Sequence, residues 1–261
     1  MRGAAPVTGW PPGLGRIVLD ETDSTMAEAA RRVATLDGPV WILARRQTAG
    51  RGRAGRPWTD PPGNFAATLV LFPDDPPARL ALRSFTASLA VAATVAALTG
   101  AEARLKWPND VLLMGAPGDA GAPAKLAGIL LESGGAGRPH LFIGIGVNLA
   151  AAPQAPPDRP EALPATSLAA ATGVTVDPET FLDALAPRFA AWEASLAKDG
   201  FAPIREAWLA LAYGLGQPIR ARIGAATRHG RFEGIDAAGA LRLATPGGVV
   251  HVAAGDVHFL A

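Results

Sequence analysis

The chain of 261 residues contains no cysteine. That absence excludes disulfides, thiolate zinc sites and cysteine nucleophiles together. Lysine is almost missing as well: Lys106, Lys125 and Lys198 stand against 21 arginines. Charge of either sign is scarce, with 18% charged residues and a net charge of +1, so the basic footprint of a nucleic-acid binder is not there. No apolar run reaches about 18 residues, which argues against a membrane span. No G-X-Y period, no G-x-S-x-G elbow and no G-x-x-x-x-G-K-[ST] loop occurs, which argues against a collagen, an α/β-hydrolase and a Walker-type ATPase. Residues 1–12 lack the apolar run of a signal peptide, so the cytoplasm is the expected compartment. The four histidines (140, 229, 251, 258) lack metal-ligand spacing and read as surface or packing residues.

What is present is small and apolar. Ala (56), Gly (30) and Pro (24) make up much of the chain, and 49% of residues are hydrophobic, which excludes disorder. Hydrophobic periodicity predicts strands over 16–20, 40–44, 64–72, 103–107, 111–114, 126–132 and 141–147. Helices are predicted over about 25–36, 79–98, 166–172, 178–197 and 201–212. Thr25 reads as an N-cap with Glu28 completing a capping box. Residues 47–63, 115–124 and the proline-rich 150–165 read as loops. After Gly214-Leu215-Gly216 the pattern changes to five short strands separated by turn signals, the mark of a small barrel. The predicted organisation is therefore residues 1–214 and 215–261.

Five stretches carry chemistry. Gln47 to Trp58 alternates Arg51, Arg53 and Arg56 with Gly50, Gly52 and Gly55. It matches G-x-G-x-x-G, but Pro57, Pro61 and Pro62 prevent the helix that a dinucleotide fingerprint needs. The alternative is a loop whose backbone approaches a ligand closely and whose guanidiniums take carboxylate or phosphate oxygens, or else a solvated basic loop. Lys106-Trp-Pro-Asn109-Asp110 puts a cation, an amide and a carboxylate on one turn, which suits a nucleotide with a divalent cation or a plain structural turn. Lys125 opens an apolar strand, where an ammonium is costly unless it meets an anion; Gly128 in that strand permits close approach. Gly144-Ile-Gly146-Val-Asn148 is a buried strand ending in an amide. Asp23-Ser24-Thr25 precedes a helix, where hydroxyls and free N–H groups either bind polar ligand atoms or simply cap.

In this order the five stretches resemble the bacterial biotin–protein ligases (biotin–[acetyl-CoA-carboxylase] ligases), and Gly234-Ile-Asp236, Gly239-Ala-Leu241 and Gly255-Asp-Val257 resemble the family's small terminal domain. The resemblance implies an α+β fold: a mixed sheet flanked by helices, similar to class II aminoacyl-tRNA synthetases, with a C-terminal SH3-like β-barrel. It implies ATP and Mg²⁺ as co-reactants, biotinyl-5′-AMP as intermediate, and a lysine of a biotin carboxyl carrier protein as acceptor. Ser24, Thr25, Gln47, Gly50, Arg51 and Gly128 would then serve biotin. Arg53 and Lys125 would serve its carboxylate and the phosphates. Arg56, Trp58, Lys106, Asn109, Asp110 and Asn148 would serve the nucleotide, with Trp58 on its adenine side. Arg53, Lys125 and Asp110 are the catalytic candidates, Asp110 by facing the metal or by orienting or deprotonating the incoming amine. Met26 departs from the family's usual Asn, and the 115–124 turn is longer than usual. The short lead before the first strand leaves no room for a helix-turn-helix, so no specific DNA binding, no membrane association, and a monomer or homodimer are expected. A lipoate ligase or octanoyltransferase shares this fold and chemistry and is the main rival; a non-catalytic biotin or nucleotide sensor is the other.

Overall fold

The computed structural model describes residues 9–114, 122–135, 137–153, 163–224 and 226–259. Most of the predicted 115–124 turn and of the 150–165 loop lies outside these residues. Seven strands form the large sheet: β1 (Gly15–Leu19), β2 (Val40–Ala44), β3 (Phe65–Leu71), β4 (Ala103–Lys106), β5 (Asp110–Met114), β6 (Pro123–Gly134) and β7 (His140–Val147). Their order is β1-β2-β3-β7-β6-β5-β4. The β1–β2 pair is parallel and every other pair antiparallel, so the sheet is mixed. β2 is buried at all five positions, as an interior strand of Val, Trp, Ile, Leu and Ala should be.

Among the described residues six α-helices accompany the sheet: α1 (Thr25–Arg32), α2 (Pro77–Leu80), α3 (Arg83–Thr99), α4 (Leu168–Thr172), α5 (Pro178–Asp199) and α6 (Ala202–Leu211). α3 and α5 pack together on one face. There Trp41, Leu43, Phe65, Leu69, Ile143 and Ile145 meet Leu89, Val91, Phe181 and Phe189 in the main core. The stretch Pro77–Thr99 has the length and composition of a membrane span but is mostly buried inside the molecule. Its Arg83 is 5% exposed and lies 2.9 Å from Asp75 and 2.6 Å from Glu193, which satisfies a charge that burial would otherwise penalise.

α1 covers only part of the opposite face. Met26 and Ala29 pack there on Val40, Ile42, Val70 and Phe142. A cavity opens over the remaining area, beside β5, β6 and β7. The predicted capping box does not form. Ser24, not Thr25, is the N-cap, in an extended conformation with φ −158° and no side-chain capping bond. Gln47 Oε1 takes the Thr25 N–H at 2.8 Å, so the helix end is satisfied from outside, and Glu28 turns to Arg31 and Arg32 instead.

The second sheet comprises β8 (Pro218–Ile223), β9 (Ala226–Ile235), β10 (Leu241–Thr245), β11 (Gly248–Val252) and β12 (Asp256–Phe259). It is antiparallel, in the order β11-β10-β9-β8-β12: four strands meander and the fifth returns beside the first. Its Ile219, Phe232, Leu243 and Val257 belong to the same hydrophobic cluster as the main core. Trp107 Nε1 donates to the Gly239 carbonyl at 3.1 Å across the junction.

Candidate active site

A cavity of about 400 Å³ opens on the uncovered face, within the range of small-molecule sites. Its floor is glycine. Gly128 of β6 and Gly146 of β7 are direct partners, with Gly144 two residues along. The Trp58 indole lies on this floor: a Cβ on Gly146 would stand 2.6 Å from Trp58 Cζ2, and one on Gly128 3.2 Å from Cζ3. Trp58 Nε1 is buried and has no hydrogen-bond partner among the described residues. Met26, the departure noted in the sequence, lies against Gly144, where it fills space rather than offering a polar contact.

One end of the cavity is polar and neutral. Thr68 Oγ1 donates to Thr25 Oγ1 at 2.9 Å, and Thr25 donates through both N and Oγ1 to Gln47 Oε1. The Gln47 N–H donates to Asp60 Oδ2 at 3.1 Å. This chain ties α1, β3 and the base of the arginine loop into one unit. Burial pushes the Asp60 carboxyl up to about 6, against the opposing effect of the Gln47 N–H.

The other end is cationic. Asp110 Oδ1 lies 2.6 Å from Lys125 Nζ, and Oδ2 lies 3.9 Å from Lys106 Nζ. Burial alone would raise the Asp110 carboxyl, but Lys125, Lys106 and Arg53 outweigh it and hold it below the usual range. Burial lowers the Lys106 ammonium, with Asp110 opposing. Asn109 donates from Nδ2 to the Ile129 carbonyl and accepts at Oδ1 from Arg53 Nη1 at 3.3 Å.

Lys125 reaches this end through a β-bulge. Asp110 pairs with Gly128 and Val111 with Ala127, but Leu112 pairs with Lys125, so Leu126 is the extra residue. Strict alternation from Ile129 and Ala127 would have driven Lys125 into the core. The bulge sends Leu126 there instead and turns Lys125 to the cavity face beside Asp110.

The structure gathers Ser24, Thr25, Gln47, Arg51, Arg53, Arg56, Trp58, Lys106, Asn109, Asp110, Lys125 and Gly128 around this one cavity. Two of the expected residues, Asn148 and Gly50, stand outside the lining. Asn148 is 1% exposed; its Nδ2 donates to the Thr166 carbonyl and its backbone bonds Leu126 and Leu168, while its Oδ1 is buried with no hydrogen-bond partner among the described residues. Gly50 also stands behind the lining, where a Cβ would meet the Trp58 carbonyl oxygen at 2.7 Å. Asp110 lines the cavity and is paired with two ammonium groups. The described residues hold no cluster of three metal-ligating side chains.

Sequence reasoning also missed lining residues from the far end of the chain. Arg222, Asp256, Val257, His258 and Phe259 line the cavity. Asp256 had appeared within a motif but without a role; burial would raise its carboxyl, and Arg56, Arg53 and Lys106 together lower it.

Residues 16–148 match the biotin/lipoate A/B protein ligase family, and residues 214–260 match the biotin protein ligase C terminal domain. The chain belongs to the biotin/lipoate A/B protein ligase family. A biotin–[acetyl-CoA-carboxylase] ligase of Paracoccus denitrificans is 52% identical over 93% of this chain and 99% of its own length. The bifunctional ligase/repressor BirA of Bacillus subtilis strain 168 is 32% identical over 92% of this chain and 71% of its own length. Biotin protein ligase from Aquifex aeolicus, solved in complex with biotin and ATP, superposes with a TM-score of 0.80 over 94% of this chain and 99% of its own. At 23% identity that likeness concerns the fold.

Proposed function

We propose that this chain is an ATP-dependent biotin–protein ligase. It joins biotin to ATP as biotinyl-5′-AMP and passes the biotinyl group to one lysine of a biotin carboxyl carrier protein. The observation that carries this reading is a glycine-floored slot, neutral and polar at one end and cationic at the other, in a chain 52% identical over nearly its whole length to a biotin ligase. Biotin has the matching shape: an apolar bicycle with a neutral ureido group at one end and a carboxylate at the other.

In the first step a biotin carboxylate oxygen attacks the α-phosphorus, the bond to the bridging oxygen of the β-phosphate breaks, and pyrophosphate leaves. Anion meets anion, so the approach needs fixed positive charge. Arg51, Arg53, Arg56 and Lys125 supply it, and Asn109 with Lys106 faces the phosphates. Ser24, Thr25 and Gln47 hold the ureido end over Gly128. In the second step the carrier amine attacks the biotinyl carbonyl, AMP leaves with the bonding pair, and the amine's proton passes to solvent. Asp110 orients Lys125 and Lys106 rather than taking that proton, because its carboxyl is held acidic. Mg²⁺ accompanies ATP as counter-ion of its phosphates, and no residue is assigned to it.

Residues 1–214 form the catalytic domain in this reading and 215–261 the second domain. The near-neutral net charge favours a ligase without operator binding, working in the cytoplasm as a monomer or homodimer. Incubation with ATP and either biotin or lipoate, with the adenylate trapped and weighed by mass spectrometry, tests the reading. Biotinyl-5′-AMP is expected; adenylation of lipoate but not biotin overturns it.

A further inference from the structure

The second sheet reaches into the catalytic cavity through one turn. Arg53 Nη2 donates to the Gly255 carbonyl at 3.2 Å, and Arg53 Nη1 lies 3.5 Å from Asp256 Oδ1. Arg56 Nη2 is in contact with the other oxygen, Asp256 Oδ2. One carboxylate therefore bridges two guanidiniums about 200 residues distant in the chain.

Both arginines sit on a loop with little of its own to hold them. Its internal restraints among the described residues are an Arg51–Pro57 bridge, a Gly52 N–H to Arg56 carbonyl bond of 2.7 Å, a Trp58 N–H to Gly50 carbonyl bond of 2.9 Å, and a single 3₁₀ turn over Arg53–Gly55. Within that turn Ala54 takes a left-handed φ of 55°, a region that favours glycine. Gly50, Gly52 and Gly55 make the loop costly to order. Beside the Asn109 contact with Arg53, the restraint on where the guanidiniums point comes from Gly255 and Asp256. Asp256 pairs with Arg222 of β8, and the adjacent Val257 is buried in the core, so the carboxylate is held on a rigid element.

We propose that Asp256 is a positioning residue for the nucleotide half of the site. It holds Arg53 and Arg56 together beside Asn109 before any ligand arrives. The assignment rests on the ATP-dependent reading above. Two like charges are thus gathered in the free protein rather than at the moment of binding, which lowers the ordering cost a triphosphate must meet. Among the described residues, the carboxylates paired with Arg53, Arg56, Lys106 and Lys125 are those of Asp110 and Asp256, so the cluster keeps a net positive charge for the phosphates.

The test uses the full chain with Asp256→Asn, Asp256→Ser as a second uncharged variant, and Asp256→Glu as the conservative one. Trypsin must capture the Arg53 side chain to cut Arg53–Ala54, so digestion of ligand-free protein reads its release. The uncharged variants are expected to be cut there at least fivefold faster than wild type, with unchanged far-UV circular dichroism. Their KM for ATP in adenylate formation should rise at least fivefold while KM for biotin moves less than twofold. Asp256→Glu should restore both. Unchanged cleavage or an unchanged KM for ATP overturns the assignment; so does tighter ATP binding, which would make Asp256 a competitor of the phosphates. A wild-type chain that forms no adenylate defeats the functional reading, whereas unchanged cleavage with activity intact defeats only this inference.

Discussion

Lys125 Nζ lies 2.6 Å from Asp110 Oδ1, and the same carboxylate faces Lys106 from 3.9 Å. One anion thus serves two ammonium groups. Removing it strands both cations, whereas removing Lys125 leaves Asp110 still paired with Lys106. Asp110→Ala is therefore expected to destabilise the protein by on the order of 3 kcal/mol, and Lys125→Ala by clearly less. Urea unfolding at pH 7 measures both, and equal losses would contradict the shared-anion arrangement. Activity should follow the opposite logic for Lys125→Arg. A planar guanidinium cannot replace a compact ammonium at this spacing, so adenylate formation should fall at least tenfold with little loss of stability. Full activity would reduce the chain's lysine shortage to codon preference alone.

The glycine floor gives a paired comparison. A methyl on Gly146 runs into the rigid Trp58 indole, whereas one on Gly144 meets the flexible end of Met26, with Sδ at 2.9 Å. Gly146→Ala is expected to raise KM for biotin at least tenfold by lifting the indole. Gly144→Ala should change it less than threefold. Steady-state kinetics on the two variants, with melting temperatures to verify folding, decides the matter; the reverse order would show that Trp58 does not set the slot.

Asp60 makes a pH prediction. Its carboxyl is raised from 3.8 to about 6 by burial, so the folded state favours the protonated form. Its contribution to stability is full below about pH 4 and is lost as pH rises through about 6. Asp60→Asn keeps an acceptor for the Gln47 N–H and removes the titration. Relative to wild type it should gain on the order of 2 kcal/mol between pH 4 and pH 7.5. Denaturant unfolding across that range measures the difference, and a flat difference would refute it.

Most of the architecture was legible because each layer has its own period. The continuous apolar runs 40–44 and 141–147, the largely apolar Arg83–Thr99 helix and the five short strands after Gly216 each show in the sequence the burial they take in the fold. The cationic half of the site was legible too, since lysine and glycine are informative where they are rare or clustered. What stayed hidden depends on distant contacts. Asp256 meets Arg53 and Arg56 only because β12 returns beside β8. Arg83 finds Asp75 and Glu193 only when α3 packs on α5. The helix cap was misread because Gln47, 22 residues on, supplies the acceptor.

The bulge at Leu126 makes β6 sensitive to length in a way its composition does not reveal. The strand takes its phase from the Gly128–Asp110 pairing, and the extra residue reverses that phase for everything before it. Deleting Leu126 would remove the bulge and leave Lys125 opposite Leu112 on the cavity face, at the cost of the leucine side chain in the core, whereas inserting one residue between Lys125 and Gly128 would reverse the phase and send the ammonium into the core. Insertions upstream of Pro123 carry no such penalty, because the register is set from the glycine end. Chain length is thus constrained over four residues of this strand and free just ahead of them, a boundary that substitution experiments alone would never locate.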